Sequence, residues 1–379
     1  MRKSYLLTPG PTPIPPQVSE AESKPIIHHR TPQFQAVLKE VNEGLKYVFQ
    51  TTNDVFILVS SGTGAMEAAV INLLSPGDTA ITVQGGKFGE RWTEICQSHG
   101  INTEIIDVEW GKAVSADEIK LRIKNAKAKI KAVFTTLCET STGVVNDIEA
   151  IGEALNDTDA VLVVDAISGL GAIDLKTDAW FVDAVVSGSQ KGLMLPPGLG
   201  FISVSPKAWK LVESSKCPKY YLDLKAAKKA LAQTDTPFTP AITLIIALAE
   251  SLKMIKQDGL ENVFLRHKKM ADATRAAIKA LGLELFAPQA CSDVVTAVKV
   301  PQGIDGEKLV KTMRDTYGVT IAGGQSELKG KVFRIAHMGY IEEFDIIVCL
   351  ACLEKVLYQM GYKFKIGQGL AAAEEVFLK

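Results

Sequence analysis

The sequence predicts an α/β protein, in which a large domain with a mainly parallel sheet flanked by helices precedes a smaller α+β C-terminal domain. Two observations lead to this fold class. Between residues 55 and 204, short apolar segments alternate with segments of helical periodicity, which is typical of βα units around a buried parallel sheet. From residue 283 onward, strand-like and helical patterns mix again. We therefore expect an N-terminal arm over residues 1–17, a large domain over 18–260 and a small domain over 261–379.

The predicted arm contains five prolines between residues 9 and 16. Proline fixes φ and removes a backbone donor, so this segment is expected to be stiff and extended. Apolar residues then recur at helical spacing over residues 33–48, which predicts an amphipathic helix.

The remaining elements follow from periodicity and from the turn residues between them. The last two strands of the large domain have short connections, so at least one strand is expected to be antiparallel. In the large domain, we predict strands at 55–59, 80–83, 103–108, 132–137, 160–164, 184–186 and 201–204, and helices at 65–74, 89–98, 115–127, 147–155 and 241–256. In the small domain, we predict helices at 262–281, 306–317 and 343–360, and strands at 294–300 and 331–336.

Composition narrows the class of function. The net charge is −1, from 42 basic and 43 acidic residues, which gives no electrostatic case for nucleic acid or an anionic membrane as a main partner. No apolar run approaches the roughly 18–20 residues that span a bilayer. The prolines near the N-terminus come before any apolar segment of the kind that a secretory signal contains. The six cysteines are scattered, and the C-x-x-C of Cys349 and Cys352 falls in an apolar helical pattern. We expect a cytoplasmic protein without a metal site.

The chemistry concentrates in residues 160–192. Two apolar strands end here in polar residues, Asp165 after the first and Lys191 shortly after the second. Because ligands bind at the carboxyl ends of parallel strands, both side chains are expected at one site. A lysine and an aspartate suit pyridoxal phosphate, in which the lysine forms a Schiff base and the aspartate pairs with the ring nitrogen. The local pattern by itself is more typical of a turn-forming aspartate and a solvated loop lysine.

A glycine-containing turn, Gly62-Thr63-Gly64, joins a predicted strand to a helix. Backbone N–H groups at such a helix start can bind phosphate, although such turns also serve close packing alone. Glu67 occupies the third glycine position of a dinucleotide fingerprint, and no Gly-Lys-Ser/Thr follows. Dinucleotide oxidoreductases and nucleotide hydrolases are therefore disfavoured.

Three further residues have both a structural and a functional interpretation. Phe88, at the start of a helix, is either a core residue or a stacking partner for a flat ring. Thr140 belongs to a hydroxyl-rich segment after a strand, which can close a turn or bind a ring hydroxyl. Arg334 lies inside an apolar strand and needs a partner if buried, either a protein carboxylate or the carboxylate of a substrate.

Together these pieces resemble the class V aminotransferases of pyridoxal-phosphate fold type I, and within them the alanine–glyoxylate/serine–glyoxylate (serine–pyruvate) group. The resemblance covers nearly the whole chain, and VVDA together with SGSQK is its most specific part. The motifs are LLTPGPTPIPP at 6–16, SSGTGAMEA at 60–68, PGD at 76–78, ETSTG at 139–143, VVDAISGLG at 163–171, SGSQKGL at 187–193, GLGF at 198–201 and GKVFRIAHMG at 330–339.

The resemblance implies the following roles around the cofactor ring. Lys191 would form the Schiff base and Asp165 would pair with the pyridine nitrogen. Phe88 would stack on the ring, where relatives often carry Trp, and Thr140 would approach the ring oxygen. Arg334 would bind the substrate α-carboxylate. Pro9 and Gly10 of the N-terminal arm would lie near this substrate site.

The resemblance also implies a homodimer whose active site lies at the subunit interface. Thr63, Gly64 and Gln190 would bind the cofactor phosphate, with Thr239 reaching across from the second subunit. Many relatives have a Tyr beside this threonine, whereas this chain has Thr-Pro-Phe-Thr-Pro at 236–240, so Thr236 is an alternative contact.

The implied activity is a ping-pong transamination from a small L-amino acid, alanine or serine, to an oxo acid such as glyoxylate or pyruvate. We expect small donors because no second arginine stands out for a distal carboxylate. Aspartate and 2-aminoethylphosphonate transaminases are alternatives. Cysteine desulfurase is less favoured, because residues 321–333, before Arg334, contain no cysteine. A non-catalytic subunit would not need Lys191, Asp165 and Arg334 together.

Overall fold

The computed structural model describes residues 3–379. Its strands are β1 (Tyr5–Leu6), β2 (Val55–Val59), β3 (Thr79–Gln84), β4 (Asn102–Asp107), β5 (Ile130–Thr136), β6 (Cys138–Glu139), β7 (Val144–Val145), β8 (Val161–Asp165), β9 (Ala184–Gly188), β10 (Leu199–Val204), β11 (Val295–Lys299), β12 (Val319–Thr320), β13 (Ala322–Gly323) and β14 (Val332–Ala336).

Its helices are α1 (Pro16–Ser23), α2 (Pro32–Phe49), α3 (Gly62–Leu73), α4 (Lys87–Ser98), α5 (Ala116–Asn125), α6 (Ile148–Leu155), α7 (Pro206–Ser214), α8 (Leu224–Leu231), α9 (Ile242–Asp258), α10 (Leu260–Ala280), α11 (Gly306–Tyr317), α12 (Glu343–Gln359) and α13 (Gln368–Phe377). A short 3₁₀ turn covers Ser326–Leu328. Within residues 3–379, no helix is both long and apolar enough to cross a bilayer.

The main sheet has seven strands in the order β2-β10-β9-β8-β5-β3-β4. The pairs from β9 through β8, β5 and β3 to β4 are parallel, whereas β10 is antiparallel to both β9 and β2. The mainly parallel sheet and the antiparallel strand near its end are therefore confirmed. Because β5, β8 and β9 are parallel neighbours, the residues that follow them emerge at the same edge of the sheet.

Helix α3 lies close against β9 and β10, because small alanine side chains cover much of its surface. It begins at Gly62, three residues before the predicted start. The turn Gly62-Thr63-Gly64 is therefore the first turn of the helix itself. Ser61 is the N-cap residue, and its side chain makes no capping hydrogen bond.

Helix α4 is fixed to the sheet through Trp92, which is fully buried. Its ring packs against Phe134 of β5 with centroids 4.7 Å apart, and its Nε1 donates to the carbonyl of Thr135 at 3.2 Å. Truncating a buried tryptophan of this kind costs about 3–5 kcal/mol of stability. This anchor holds the N-terminal part of α4, which carries Phe88 and Arg91, beside the sheet edge.

The N-terminal segment runs to the C-terminal part of the fold. β1 pairs in parallel with β12, and Ala336 at the end of β14 donates its N–H to the Leu7 carbonyl at 3.0 Å. α1 begins at Pro16, so the last two residues of the predicted extended arm are helical. Proline is well tolerated in the first turn of a helix, where its missing N–H has no partner to lose.

The C-terminal part has a three-stranded antiparallel sheet in the order β11-β14-β13. Helices α10, α11, α12 and α13 form a separate core against it. Cys349 and Cys352 are buried in α12, as their pattern predicted. Ser115 is the N-cap residue of α5, and its side chain makes no capping hydrogen bond. The division into 1–17, 18–260 and 261–379 stays a prediction.

Candidate active site

Asp165 is the last residue of β8, and its carboxyl group is buried (4% exposed). Its Oδ1 accepts a hydrogen bond from the backbone N–H of Ile167 at 2.8 Å. Burial raises the pKa of this carboxyl to about 7, because a charged carboxylate is poorly solvated there. A cationic group bound against Asp165 would restore its charged form.

Lys191 follows β9 by three residues, and its side chain is also buried (8% exposed). Its Nζ donates to the carbonyl of Pro9 and to the Ser168 hydroxyl, the latter at 3.4 Å. Burial lowers the pKa of the amine to about 8, and the nearby Asp165 partly offsets this effect. The structure thus brings the predicted lysine and aspartate to the same edge of the sheet.

The N-terminal segment covers the lysine. Gly10 has φ +105°, and a Cβ at this position would overlap the Lys191 side chain. Thr12 donates its hydroxyl to the Lys191 carbonyl at 3.2 Å. Pro9 and Gly10 therefore lie directly against Lys191.

An anion-binding corner lies at the start of α3. The Gln190 side chain and the backbone nitrogen of Gly62 are neighbours at this corner. A Cβ atom added to Gly188 would lie 3.3 Å from Gln190 Oε1 and 3.4 Å from the Gly62 nitrogen. Gln190 Oε1 is buried and has no hydrogen-bond partner among the described residues, so this acceptor is available to a donor group of a ligand. Arg91 Nη1 donates to Thr63 Oγ1 at 3.2 Å in the same turn. The backbone N–H groups at this helix start suit a phosphate.

Phe88 is held by a buried glutamate. The Glu139 carboxylate (1% exposed) accepts hydrogen bonds from the backbone N–H of Phe88 at 3.1 Å and of Gly89 at 2.9 Å. It also accepts from the backbone N–H and hydroxyl of Ser141. Burial raises the pKa of Glu139, and these hydrogen bonds oppose the rise. Phe88 is only partly buried, with the Arg91 guanidinium 5.0 Å from its ring centroid.

Thr140 joins two parts of the site. Its hydroxyl donates to Ser168 Oγ at 2.5 Å, and its carbonyl accepts from Arg334 Nη1 at 2.8 Å. Ser168 in turn accepts from Lys191 Nζ. The predicted hydroxyl, the predicted lysine and the predicted arginine therefore belong to one hydrogen-bonded network.

Arg334 is buried in β14 (4% exposed), and its hydrogen-bond partners are backbone carbonyls. Besides Thr140, it donates to the carbonyl of Gly323 from Nε at 3.0 Å and from Nη2 at 2.8 Å. It has no carboxylate partner among residues 3–379. Burial lowers its pKa to about 10, and the charge of Glu139 opposes this shift. Of the two partners that the sequence left open, the protein carboxylate is not found, and the guanidinium charge is available to a ligand.

The sequence matches the description "Aminotransferase class-V" over residues 4–338. This chain belongs to the class V aminotransferase family. Because these enzymes use pyridoxal phosphate, the protein is a pyridoxal-phosphate-dependent transaminase, as the resemblance implied.

Similar proteins carry several names. The chain is 47% identical to the soluble hydrogenase 42 kDa subunit of Anabaena cylindrica, over 99% of both chains. It is 40% identical to the L-aspartate–glyoxylate aminotransferase of Paracoccus denitrificans, over 98% of this chain and 95% of the relative. Its fold superimposes on the ureidoglycine–glyoxylate aminotransferase of Bacillus subtilis with a TM-score of 0.96 and 32% identity, covering 100% and 99% of the two chains.

The residues of this class V aminotransferase fit the cofactor on structural grounds. The first turn of α3 suits its phosphate, while the buried Asp165 suits a cationic ring nitrogen. At position 10, any side chain larger than that of glycine would overlap the side chain of Lys191. Within residues 3–379, no group of three or more His, Cys, Asp or Glu side chains is arranged to hold a metal ion.

Two predicted residues lie elsewhere. Thr236 donates its hydroxyl to the Phe238 carbonyl at 2.8 Å, and Thr236 and Thr239 line a surface cavity beside Val59 and Tyr221. These neighbours belong to the edge strand β2 and to the segment before α8, not to the surroundings of Lys191. Neither threonine lies at the Lys191 site of its own chain, and the predicted contact with the site of the second subunit stays a prediction.

The sequence interpretation missed three residues of the site. Ser168 lies within the quoted motif VVDAISGLG, but nothing in the local pattern shows that it meets both Lys191 and Thr140. Glu139 lies in ETSTG, and its contact with α4 depends on the tertiary fold. Arg91 comes three residues after Phe88 on the same helix face, a spacing that could have identified it.

We predict that Lys191→Met stabilises the cofactor-free protein. Burial lowers the pKa of the Lys191 amine from 10.5 to about 8, so the folded state resists its protonation. At about 1.4 kcal/mol per pKa unit, the free energy of unfolding should rise by about 3 kcal/mol below pH 8. The gain should shrink as the pH rises from 8 to 10.5, where the unfolded amine also becomes neutral. Urea unfolding at several pH values measures it.

The matched control for this stability measurement is Lys329→Met, at an exposed lysine. It should change the free energy of unfolding by less than about 0.5 kcal/mol at each pH. A Lys191→Met protein that is less stable than the wild type below pH 8 would contradict the assigned cost of burying the amine.

Proposed function

We propose that this transaminase moves an amino group from a small L-amino acid, alanine or serine, to an oxo acid such as glyoxylate or pyruvate, in a ping-pong reaction. The observation that carries the proposal is Arg334, a buried cation whose hydrogen bonds all go to backbone carbonyls. A guanidinium of this kind is suited to a carboxylate, which every amino acid and oxo acid substrate carries.

Lys191 acts as the covalent anchor of the cofactor and then as the base. Pyridoxal phosphate, when bound, supplies a ring that takes up negative charge from the α-carbon and carries the amino group between the two substrates. The Lys191 amine has a pKa near 8, so it is a competent proton acceptor close to neutral pH. Its Nζ removes the proton from the substrate α-carbon and later returns a proton.

The other predicted residues hold the cofactor in place. Asp165 keeps a proton on the ring nitrogen, since a buried carboxylate is stabilised by a cationic neighbour. Phe88 supports the ring by stacking, with its backbone fixed by Glu139, and Thr140 approaches the ring oxygen. The phosphate would be bound at the start of α3 by residues Thr63 and Gly64, with the side-chain NH2 group of Gln190 as a further donor.

Glyoxylate is the acceptor that we favour. The named acceptor of the relative from Paracoccus denitrificans and of the structure from Bacillus subtilis is glyoxylate in both cases. Pro9 and Gly10 lie against Lys191, so the N-terminal segment narrows the space beside the reacting groups. A small oxo acid suits such a confined site.

L-Aspartate is the second candidate donor, and Arg91 favours it. The sequence interpretation relied on the lack of a second arginine, but Arg91 lies beside Phe88 and Thr63 and makes no ion pair within residues 3–379. Its charge could bind a distal carboxylate or the phosphonate of 2-aminoethylphosphonate. The donor of the Paracoccus denitrificans relative is named as L-aspartate.

The active site is proposed to lie at the interface of a homodimer. Val59 at the end of edge strand β2, Tyr220 and Tyr221 are exposed to 40%, 80% and 50%, and the ring of Tyr221 stacks on Phe238 at 5.1 Å. Such a patch of exposed apolar side chains is typical of an interaction surface. Thr236 and Thr239 belong to the same surface, from which one of them would reach the partner's cofactor phosphate.

The proposed location is the cytoplasm. All six cysteines have free thiols, and five of them are buried. Free cysteines without disulfide bonds are usual in a reducing compartment.

The absorption spectrum of the purified protein tests the function. A band near about 400–430 nm is expected from the lysine-bound cofactor. L-Alanine or L-serine should diminish this band, and glyoxylate should restore it. A band that responds only to L-aspartate would establish the second candidate. A band that responds to no amino acid would contradict this substrate class.

Two arginine variants separate the donors. Arg334→Gln should raise KM for every donor roughly a hundredfold, because a buried charged hydrogen-bond partner of the α-carboxylate is lost. Arg91→Gln should leave kcat/KM for alanine within about twofold, and should lower it for aspartate at least about tenfold if Arg91 binds the distal carboxylate. Steady-state kinetics with alanine, serine and aspartate measure both effects. An equal loss with all donors would contradict a distal-carboxylate role of Arg91.

Mixed dimers test the cross-subunit contact. Lys191→Ala and the double variant Thr236→Ala/Thr239→Ala are each expected to be impaired as pure dimers. If the threonines serve the partner's site, unfolding and refolding the two together should restore roughly a quarter of the wild-type sites, since half the dimers are hybrids with one intact site. Activity and sedimentation of the mixture measure this. A mixture that shows only the mean of the two separate activities would contradict the shared site.

A further inference from the structure

Ser168 lies in the turn after β8 and is buried (5% exposed). Its Oγ accepts hydrogen bonds from Thr140 Oγ1 at 2.5 Å and from Lys191 Nζ at 3.4 Å. A hydroxyl oxygen has two acceptor positions, and these two donors use both of them. The proposed function gives Ser168 no role, although it is next to the proposed base.

We propose that Ser168 is a positioning residue that holds the Lys191 amine at the proton-transfer position whenever this amine is free. This inference rests on the proposed function, in which Lys191 Nζ moves the proton of the substrate. It concerns a residue that binds neither the phosphate nor the substrate carboxylate, and that acts through Lys191.

A free lysine amine needs positioning because its side chain is long and flexible. Ordering such a side chain costs up to about 2 kcal/mol of conformational entropy. In this site, Nζ has acceptors from two separate elements, namely the Pro9 carbonyl of the N-terminal segment and Ser168 Oγ of the turn after β8. Two acceptors fix the direction of the amine better than one does.

Ser168 also connects the base to the substrate anchor. Thr140 donates its hydroxyl to Ser168 and accepts a hydrogen bond on its carbonyl from Arg334. Arg334 would bind the α-carboxylate, while Lys191 would act on the neighbouring α-carbon. A chain of hydrogen bonds from Arg334 through Thr140 and Ser168 therefore sets the separation of the carboxylate anchor and the base.

The Ser168 hydroxyl affects proton affinity without changing the formal charge of the site. As an acceptor, it favours the protonated amine and so opposes the effect of burial on the Lys191 pKa. The charged and titratable groups that face this amine are Asp165 from β8, Cys138 from β6, Arg334 from β14 and Arg91 from α4. All of these remain when Ser168 is replaced, so any change of pH profile is due to the lost acceptor.

Ser168→Ala in the holoenzyme tests the positioning role, with Ser203→Ala as the matched control. Ser203 is a buried serine of β10 whose Oγ has no hydrogen-bond partner within residues 3–379. We expect Ser168→Ala to slow the half-reaction with L-alanine roughly tenfold, the usual effect of losing one hydrogen bond to a charged group. The isotope effect with α-deuterated L-alanine should increase, and the acidic limb of the rate should move to lower pH.

Three further measurements decide the outcome. The Kd of pyridoxal phosphate and the Tm of Ser168→Ala should match those of Ser203→Ala. Ser168→Thr, which keeps the hydroxyl, should restore most of the rate and the wild-type pH profile. The role is wrong if Ser168→Ala equals Ser203→Ala in rate, isotope effect and pH profile, or if folded Ser168→Thr is as slow as Ser168→Ala. A wild type that no amino acid converts would overturn the proposed function, and this inference with it.

Discussion

The burial of an amine beside a carboxyl group is the constraint on which the rest of the site depends. Lys191 and Asp165 both leave the carboxyl ends of neighbouring parallel strands, and both are almost completely withdrawn from water. Burial lowers the pKa of the amine and raises that of the carboxyl, so it disfavours the charged form of both groups in the absence of a ligand. A cofactor with a cationic ring nitrogen and an aldehyde relieves both costs.

The fold provides partners for these buried groups from distant parts of the chain. The N-terminal segment first joins the C-terminal part through β1 and β12, and then lays Pro9 and Gly10 against Lys191. Arg334 in β14 reaches back to the carbonyl of Thr140. The site therefore forms only when the N-terminal segment and the C-terminal part are both in place around the seven-stranded sheet. Substrate binding then depends on how these segments pack against the sheet.

Hydrogen bonds to the backbone determine which charges remain free for ligands. The Glu139 carboxylate accepts hydrogen bonds from backbone N–H groups at the start of α4, and these bonds fix the position of Phe88. Arg334 binds carbonyl oxygens, which orient the guanidinium but do not neutralise it. An oriented cation of this kind is the electrostatic complement of a carboxylate substrate.

The sequence by itself determined the class of fold and the two residues at its centre. Apolar runs ending in Asp165 and in the segment before Lys191 identify strand ends, and parallel pairing then requires both side chains at one edge. The antiparallel strand also follows from local patterns, whereas the start of α3 at Gly62 does not. Local pattern cannot reveal partners that are far apart in the chain. Pro9 and Lys191, 182 residues apart, and the bonds of Ser168 to Thr140 and Lys191 were decided by the tertiary structure. The physical reason is that the sequence around a hydroxyl or carbonyl does not differ according to its distant hydrogen-bond partner. Only the packing of the strands decides which amine lies next to it.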